Sequence, residues 1–330
     1  MVGAVLVHDG RIIGEGWHKL YGKAHAEINC LYSVQEQDRY LIPHSTMYVS
    51  LEPCAHFGKT PPCANRLVAE DIKKVVICNT DPFARVDGRG IAILQQNGVD
   101  VTTNMLEDAG RWINRRFFCV HEQQRPYIIL KWAQTADGFI APADGSRLQI
   151  SNRHSRELVH KWRTEEDAIM VGYNTAMNDD PHLTARLWQG KNPLRVVVDK
   201  NLQLQRNLKL FDNQAETWVL NNKQEGVDRE LRYIQLDFVK DIIPQLLQRL
   251  HAAGKQSLIV EGGAVLLRHF IDAGLWDEAR VFAGNVSLQQ GIAAPVLKLP
   301  PAMTMDIADD ILHVYINPLS RYPFVNGYDL

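Results

Sequence analysis

The sequence predicts an α/β protein built from two domains. Three observations support this prediction: the chain length, an alternation of strand and helix patterns, and a polar break at residues 122–126. The chain has 330 residues, whereas a single domain usually holds about 100 to 200 residues. The break has the sequence Glu-Gln-Gln-Arg-Pro, and an apolar strand pattern begins directly after it. We therefore expect one domain at residues 1–122 and a second at residues 123–330.

The elements of the first domain alternate between strands and helices. Short apolar runs bounded by turn residues predict strands at residues 1–7, 46–50, 74–79 and 99–102. Apolar residues at helical spacing predict helices at residues 25–36, 63–70, 90–97 and 108–118. Because such an alternation builds a sheet that helices cover on both faces, this domain is expected to be a three-layer α/β/α sandwich.

The second domain shows further buried-strand patterns, at residues 127–131, 168–172, 194–199, 217–220 and 257–261. The last of them is followed by Gly262, Gly263 and a helix that extends to about residue 273. Backbone N–H groups at such a helix start can hold a phosphate, and glycine lets the ligand approach closely. A plain turn between strand and helix also accounts for the glycine pair, so both interpretations stay open.

The composition limits the classes of function. The net charge is -2 and 45% of the residues are hydrophobic, which favours packed cores and argues against broad binding to nucleic acids or anionic membranes. The five cysteines do not suggest a disulfide framework. We find no signal peptide and no run of about 18 apolar residues, so a cytoplasmic protein is expected.

Three side chains near the start of the chain form a candidate zinc site. His25 lies in His-Ala-Glu, Cys54 follows Glu-Pro, and Cys63 follows Thr-Pro-Pro. Zinc prefers nitrogen and sulfur ligands, and a catalytic zinc keeps three protein ligands and one open position. Glu27 would carry a proton rather than bind the metal, as in zinc deaminases of nucleobase-like rings. Buried, unreactive cysteines and a chance His-x-Glu are the alternative interpretation.

The zinc motifs resemble those of RibD, the bifunctional deaminase/reductase family of riboflavin biosynthesis. In the first domain the resemblance rests on His25-Ala26-Glu27, on the segment from Ser50 to Cys63, on the segment from Met1 to Val5, on Asp81-Pro82 and on Gly88-Arg89-Gly90. Eight residues separate the two cysteines, which differs from the spacing of two in nucleoside and nucleic-acid deaminases. In the second domain it rests on Lys131-Trp132-Ala133, Asp137-Gly138, the segment from Asp179 to Arg186, and Glu261-Gly262-Gly263.

The resemblance implies a fold, two cofactors and a substrate class. The expected fold is a cytidine-deaminase-like α/β/α domain followed by a dihydrofolate-reductase-like α/β domain, with Zn²⁺ in the first and NADPH in the second. The implied substrate is a diamino-pyrimidinone that carries a ribosylamino phosphate. It would first be deaminated by hydrolysis, and its ribosyl group would then be reduced to ribityl.

The resemblance also implies which residues contact the ligands. Those implied to contact NADPH are Ala133, Gln149, Thr175, Asp179, Gly263, Ala264, Val265, Leu266, Leu267, Arg268 and His269. Those implied to contact substrate are His56 and Lys59 in the first domain and Arg147, Arg163, Leu183, Arg186 and Glu261 in the second. Arginine suits this role because a guanidinium can hold a phosphate with two parallel hydrogen bonds. Lys131 and Glu261 are candidates for electrostatic or proton-transfer roles, and Gln149 stands where many members have tryptophan.

Two alternatives to this function remain open at the level of sequence. Members of the family carry a further helix before the first strand, and we expect this chain to lack it. Only the reductase half would then be active, with the first domain serving as a structural or binding module. A nucleoside or RNA deaminase is the second alternative, which the cysteine spacing disfavours. A homodimer through the second domain is a further expectation from the resemblance.

Overall fold

The computed structural model describes residues 1–20, 22–55, 61–83, 88–144 and 146–328. These residues divide into two compact units. The first unit is Met1–Glu122 together with the segment that begins at Tyr322, and the second is Gln123–Arg321. Within the described parts of the chain, no helix combines the length and the apolar character that are needed to cross a membrane.

The first unit is built on a five-stranded sheet in the order β2-β1-β3-β4-β5. The strands are β1 (Gly3–His8), β2 (Arg11–Trp17), β3 (Thr46–Leu51), β4 (Lys74–Asn79) and β5 (Asp100–Thr102). Strand β1 is antiparallel to β2 and β3, whereas β3, β4 and β5 are parallel. The parallel strands therefore end at one edge of the sheet, and the chain after β3 and β4 supplies the residues at that edge.

Helices connect and cover these strands. They are α1 (Ala26–Ser33), α2 (Cys63–Ala69), α3 (Arg89–Gln96), α4 (Glu107–Ile113) and α5 (Arg115–Gln123), with a 3-10 helix at Glu36–His44. Apolar side chains of α1, α2 and α3 share one core with the sheet, for example Leu31, Leu67 and Leu94. The single helix predicted at residues 108–118 is wrong in one respect, because it is divided at Asn114.

The C-terminal segment departs from the predicted boundary at residues 123–330. The Tyr322 side chain is fully buried, and its hydroxyl donates to the Glu122 carboxylate at 3.3 Å. The Phe324 ring meets Trp112 edge to face, with ring centroids 5.1 Å apart. Aromatic pairs of this kind add to the free energy gained from apolar burial. These contacts explain why residues after Arg321 group with the first unit.

The second unit contains a ten-stranded sheet in the order β11-β12-β10-β9-β8-β13-β6-β14-β17-β16. Its strands are β6 (Tyr127–Gln134), β8 (Ala168–Val171), β9 (Leu194–Val198), β10 (Thr217–Asn221), β11 (Gly226–Asp228), β12 (Leu231–Gln235), β13 (Ser257–Glu261), β14 (Glu278–Ala283), β16 (Met303–Ile307) and β17 (Asp310–Ile316). A short antiparallel pair, β7 (Phe139–Ala141) and β15 (Ile292–Ala293), is separate from it. Neighbouring strands from β12 to β14 are parallel.

Four α-helices of the second unit lie between these strands along the chain: α6 (Arg153–Glu165), α7 (Tyr173–Asp179), α8 (Ile242–Ala252) and α9 (Ala264–Asp272). The central strands are apolar on both faces, as in residues 128–130, which is the usual pattern for a parallel sheet covered by helices. Strand β13 lies between β8 and β6, although it follows them in the chain. Ligands of parallel sheets bind outside the carboxyl ends of strands at such a crossover.

Candidate active sites

The structure brings the three predicted zinc ligands of the first unit together. His25 directly precedes α1, Cys54 follows β3, and Cys63 is the first residue of α2. The His25 Nδ1 atom lies 3.5 Å from the Cys54 Sγ atom and 3.3 Å from the Cys63 Sγ atom. The three ligand atoms all lie within 4.8 Å of one another. Two helix starts and one strand end therefore converge on a single point.

The geometry and the donor set fit a zinc ion. A tetrahedral zinc with bonds of about 2.1 Å to nitrogen and about 2.3 Å to sulfur would separate these two atoms by roughly 3.6 Å. The observed nitrogen-to-sulfur distances are 3.5 and 3.3 Å. One nitrogen and two sulfurs are also the ligand types that zinc prefers. Among the described residues this group has three members, which is the number of protein ligands that a catalytic zinc uses.

The surroundings of the two thiols shift their pKa values in opposite directions. Hydrogen bonding from the Cys63 thiol, followed by that from His25, lowers the pKa of Cys54 to about 4. The Cys63 backbone N–H also donates to the Cys54 sulfur at 3.3 Å. The pKa of Cys63 is raised, first by its hydrogen bond to Cys54 and then by burial, so the shared proton stays on Cys63. Metal binding by both thiolates releases such a proton.

Glu27 lies in the first turn of α1, and only 3% of it is exposed. Burial raises the pKa of its carboxyl group to about 7. A group with a pKa near the operating pH can accept a proton and return it in the same catalytic cycle. The position beside the ligand cluster and this pKa suit the proton-carrier role that the sequence predicts for Glu27.

Glu52 is a functional residue that the sequence interpretation missed. Its buried carboxylate accepts four backbone hydrogen bonds: Oε1 from Gly90 and Ile91 at 2.9 and 3.2 Å, and Oε2 from Asp81 and Gly88 at 3.2 and 3.1 Å. Three of these N–H groups, those of Gly88, Gly90 and Ile91, lie at the start of α3, and that of Asp81 lies just after the end of β4. Because Pro53 and Cys54 follow directly in the chain, Glu52 fixes the predicted zinc ligand Cys54 relative to β4 and α3.

A cavity of about 960 Å³ lies in the second unit, at the carboxyl ends of β6, β8 and β13. Of the predicted cofactor and substrate residues, those that line it are Ala133, Gln149, Thr175, Asp179, Gly263, Ala264, Val265, Leu266, His269, Arg147, Arg163, Leu183, Arg186 and Glu261. Leu183 is buried and has a positive φ of 54°. Such strain in a residue other than glycine is concentrated at functional sites.

Two of the predicted NADPH-contact residues do not line this cavity. Leu267 faces the apolar core, because the helical period of α9 turns it away from the cavity. Arg268 is exposed, and its guanidinium donates to the Ala293 carbonyl at 3.0 Å. Of the run from Gly263 to His269, these two residues are therefore the ones that do not line the cavity, and the contacts to NADPH stay a prediction. His56 and Lys59 lie outside the residues that the structure describes.

Positive charge surrounds a single buried carboxylate in this cavity. The Arg163 Nε and Nη2 atoms donate to Glu261 at 3.2 and 2.8 Å, and the Lys131 Nζ atom lies 3.8 Å from it. Burial opposes ionisation of Glu261, but Arg163 and Lys131 outweigh it and lower its pKa to about 2. Burial in turn lowers the pKa of Lys131. With Arg147 and Arg186 also in the lining, the cavity is suited to an anionic ligand.

The turn between β13 and α9 fits a phosphate-bearing cofactor. Gly262 and Gly263 have φ values of 82° and 70°. Added Cβ atoms would lie 2.9 Å from the Thr175 Cγ2 atom and 3.0 Å from its Oγ1 atom, respectively. Only glycine combines this conformation with this close approach. The turn leads into α9, whose first residues Ala264 and Val265 line the cavity, and backbone N–H groups at a helix start can hold a phosphate.

Acid is expected to weaken the ion pairs that Glu261 makes with Arg163 and Lys131. The folded-state pKa of Glu261 is about 2, below its ordinary value of 4.5, so its stabilising contribution is complete above pH 4.5 and is lost as the pH falls towards 2. The contribution is on the order of 3 kcal/mol. Thermal melts of the wild type and Glu261→Gln should therefore show a melting-temperature gap that narrows from pH 5 to pH 3. A melting-temperature gap that stays constant from pH 5 to pH 3 would contradict the lowered pKa of Glu261. Glu157→Gln on α6 serves as the control.

Comparison with known proteins identifies the class of both units. Residues 1–79 match the family model of the cytidine and deoxycytidylate deaminase zinc-binding region, and residues 126–288 match the RibD C-terminal domain. The riboflavin biosynthesis protein RibD of Aquifex aeolicus is 36% identical over 88% of this chain and 82% of the relative. RibD of Actinobacillus pleuropneumoniae is 33% identical over 97% of this chain and 90% of the relative.

A solved structure from Thermotoga maritima has the same architecture. It is described as a diaminohydroxyphosphoribosylaminopyrimidine deaminase/5-amino-6-(5-phosphoribosylamino)uracil reductase, and it superimposes with a TM-score of 0.85 at 30% identity. The match covers 96% of this chain and 91% of that protein. The fold and sites thus define a bifunctional enzyme that combines a zinc-dependent deaminase with an NADPH-dependent reductase. The chain belongs to the RibD family, the bifunctional deaminase/reductases of riboflavin biosynthesis.

The close approach at Gly263 leads to a prediction for NADPH binding. Gly263→Ala is expected to raise the Kd for NADPH about tenfold, because the new methyl group strains a positive φ and displaces Thr175. Fluorescence titration of NADPH measures this change. Gly274→Ala is the matched control, since Gly274 has a similar φ of 66° but no neighbour within 4 Å of an added Cβ atom. Equal effects of the two substitutions would show that backbone strain, and not the displacement of Thr175, weakens NADPH binding.

Proposed function

We propose that this chain catalyses the two reactions named for the Thermotoga maritima protein: deamination of the diaminohydroxyphosphoribosylaminopyrimidine, then reduction of the resulting 5-amino-6-(5-phosphoribosylamino)uracil. The observation that supports this proposal most is the convergence of His25, Cys54 and Cys63 beside the buried Glu27. The second is the cation-rich cavity at the carboxyl ends of the parallel strands of the other unit.

In the deamination, Glu27 is proposed to carry the proton, and His25, Cys54 and Cys63 to hold the metal. When zinc is bound, it lowers the pKa of water so that hydroxide is available near neutral pH. The Glu27 carboxylate would accept one proton from the water and deliver it to the ring nitrogen. It would then accept the proton of the new hydroxyl group on the ring carbon and deliver it to the amino group, which leaves as ammonia. The pKa of about 7 lets this carboxyl group act first as base and then as acid.

In the reduction, the cavity residues of the second unit are proposed to bind and orient the phosphoribosyl group. When NADPH is bound, it supplies the hydride. Arg186 and Arg147 are proposed to hold the phosphate, because both residues line the cavity and a guanidinium group can bind a phosphate with two hydrogen bonds. The Arg163 guanidinium donates hydrogen bonds to Glu261 and to the Thr184 carbonyl, so its proposed role is to hold these two residues in position. Lys131 is proposed as the proton donor, since burial lowers its pKa and makes it a better acid.

We further propose that the deaminase domain covers residues 1–122 with the segment after Arg321, and that the reductase domain covers residues 123–321.

A homodimer formed through the second domain and a cytoplasmic location stay predictions from the sequence. Sedimentation of the purified chain over a range of concentrations tests the first, since a dimer would sediment at about twice the mass of 37.5 kDa.

The order of the two reactions provides the test of the proposed function. With the diamino substrate, the purified chain should release ammonia and then oxidise NADPH, and a zinc chelator should stop both. With substrate that has already been deaminated, the chelator should leave NADPH oxidation unchanged. NADPH oxidation only on the deaminated substrate would instead favour the alternative of a reductase with an inactive first domain, which the family relationship does not favour.

A further inference from the structure

His160 occupies a defined position between the arginines of the reductase cavity. It lies on α6 one turn before Arg163, and both side chains line the cavity. Only 6% of His160 is exposed. Its Nδ1 atom accepts a hydrogen bond from the Arg186 backbone N–H at 2.9 Å. Because an accepting Nδ1 carries no proton, the neutral ring carries its proton on Nε2.

The surrounding charges keep this ring neutral. Burial, followed by Arg163 and Arg186, lowers the pKa of His160 to about 4, and Lys131 acts in the same direction. Glu261 is the acidic group that opposes them. Among the described residues, the His160 Nε2 atom has no hydrogen-bond partner in the protein and is not enclosed as a buried unsatisfied atom. At neutral pH the residue therefore presents one uncharged N–H donor to the cavity.

We propose that His160 is a further substrate-binding residue of the reductase site, with Nδ1 fixing the Arg186 backbone and the Nε2 proton donated to the phosphoribosyl group of the substrate. This proposal rests on the proposed function of the second unit. Around His160 the charges of Arg163, Arg186 and Lys131 outnumber that of Glu261. In the lining of the whole cavity, Lys and Arg outnumber Asp and Glu by six to three, which suits it to the anionic part of the substrate. A neutral N–H donor makes a directional hydrogen bond with the substrate. It does so without adding another charged group that would lose its hydration on binding.

Two substitutions separate the roles of the two ring nitrogens. His160→Asn places an amide oxygen where Nδ1 accepts, so the Arg186 contact can persist while the Nε2 donor is lost. His160→Gln extends an amide to the position of Nε2 and removes the Nδ1 acceptor. His154→Gln is the matched control, because His154 lies on the same helix with its side chain 68% exposed and away from the cavity lining.

The measurements are the KM for 5-amino-6-(5-phosphoribosylamino)uracil, and the Kd values of ribose 5-phosphate and of NADPH in the full chain. For His160→Asn we expect the KM and the Kd of ribose 5-phosphate to rise about tenfold. The kcat and the Kd of NADPH should stay within about threefold of the wild-type values. A purely structural role would change both Kd values together. His154→Gln should leave all four constants unchanged.

Unchanged ribose 5-phosphate binding in His160→Asn, or an equal loss of NADPH binding, would overturn the proposal. If His160→Asn does not fold, His160→Gln decides: it loses the Nδ1 acceptor that fixes Arg186, so the Kd of ribose 5-phosphate should rise while the Kd of NADPH stays within about threefold of the wild type. An equal rise of both Kd values in that folded variant, or no rise in either, would also overturn it. A wild-type chain that binds ribose 5-phosphate but does not oxidise NADPH with the uracil substrate would refute the proposed function and leave the test of His160 intact.

Discussion

Replacing Glu27 with glutamine is expected to lower the rate of ammonia release by about 10³-fold, within the range that general acid–base catalysis supplies. Glutamine keeps the shape of the side chain, but it cannot accept a proton from water or return one to the leaving group. Since its position is buried and adjoins the ligand cluster rather than joining it, zinc content should not change. A coupled ammonia assay and metal analysis of the purified variant measure the two quantities.

The same variant contains its own control. NADPH oxidation on substrate that has already been deaminated should proceed at the wild-type rate in Glu27→Gln, because the change leaves the second unit intact. If ammonia release persisted at a tenth of the wild-type rate or more, Glu27 would not be the proton carrier. If zinc were lost as well, the residue would have a structural role, and the loss of activity would carry no information about proton transfer.

Replacing Glu52 with glutamine is expected to destabilise the first unit by about 3 kcal/mol and to reduce its zinc content. One carboxylate oxygen would become an NH₂ group, which would face two of the four backbone N–H donors now satisfied by Glu52. The side chain is buried, so water does not replace the lost acceptor. Urea unfolding of the full chain and zinc analysis would report both effects.

Glu70 supplies the matched control for this prediction. It lies just beyond α2, is partly exposed and pairs with Arg66 at 2.7 Å. Partly exposed pairs of this kind contribute little to stability, so Glu70→Gln is expected to change the free energy of unfolding by less than about 1 kcal/mol. Equal effects of Glu52→Gln and Glu70→Gln would mean that the four backbone hydrogen bonds do not hold the loop beside Cys54.

The difference between what the sequence predicts and what it misses has a physical basis. Zinc chemistry requires particular side chains, so His25, Cys54, Cys63 and their neighbour Glu27 can be identified as a motif. Glu52 acts through backbone N–H groups, which every residue except proline carries. Its partners lie 29 to 39 positions further along the chain, and no side-chain pattern marks them. Such a role becomes visible only when the fold is known.

The second unit shows a similar limit. A continuous run can be transferred from a family motif, but a helix presents only some of its residues to one side, which is why Leu267 and Arg268 do not reach the cavity. The period of 3.6 residues in α9 could have excluded Leu267. His160 could also have been found, because its spacing of three from Arg163 places both on one helical face. The contact to Arg186 could not, since the loop conformation determines it.

The position of the C-terminal segment has a consequence for how this chain is made. The first unit contains Tyr322, so its last piece leaves the ribosome only after all of Gln123–Arg321. Domains generally fold as units, in the order in which they are synthesised. Here the deaminase domain cannot complete its packing around Trp112 until the reductase domain has been translated. A single cut after Glu122 would likewise leave the first unit incomplete, so dividing the enzyme into two independent proteins requires that this segment be joined to the first half.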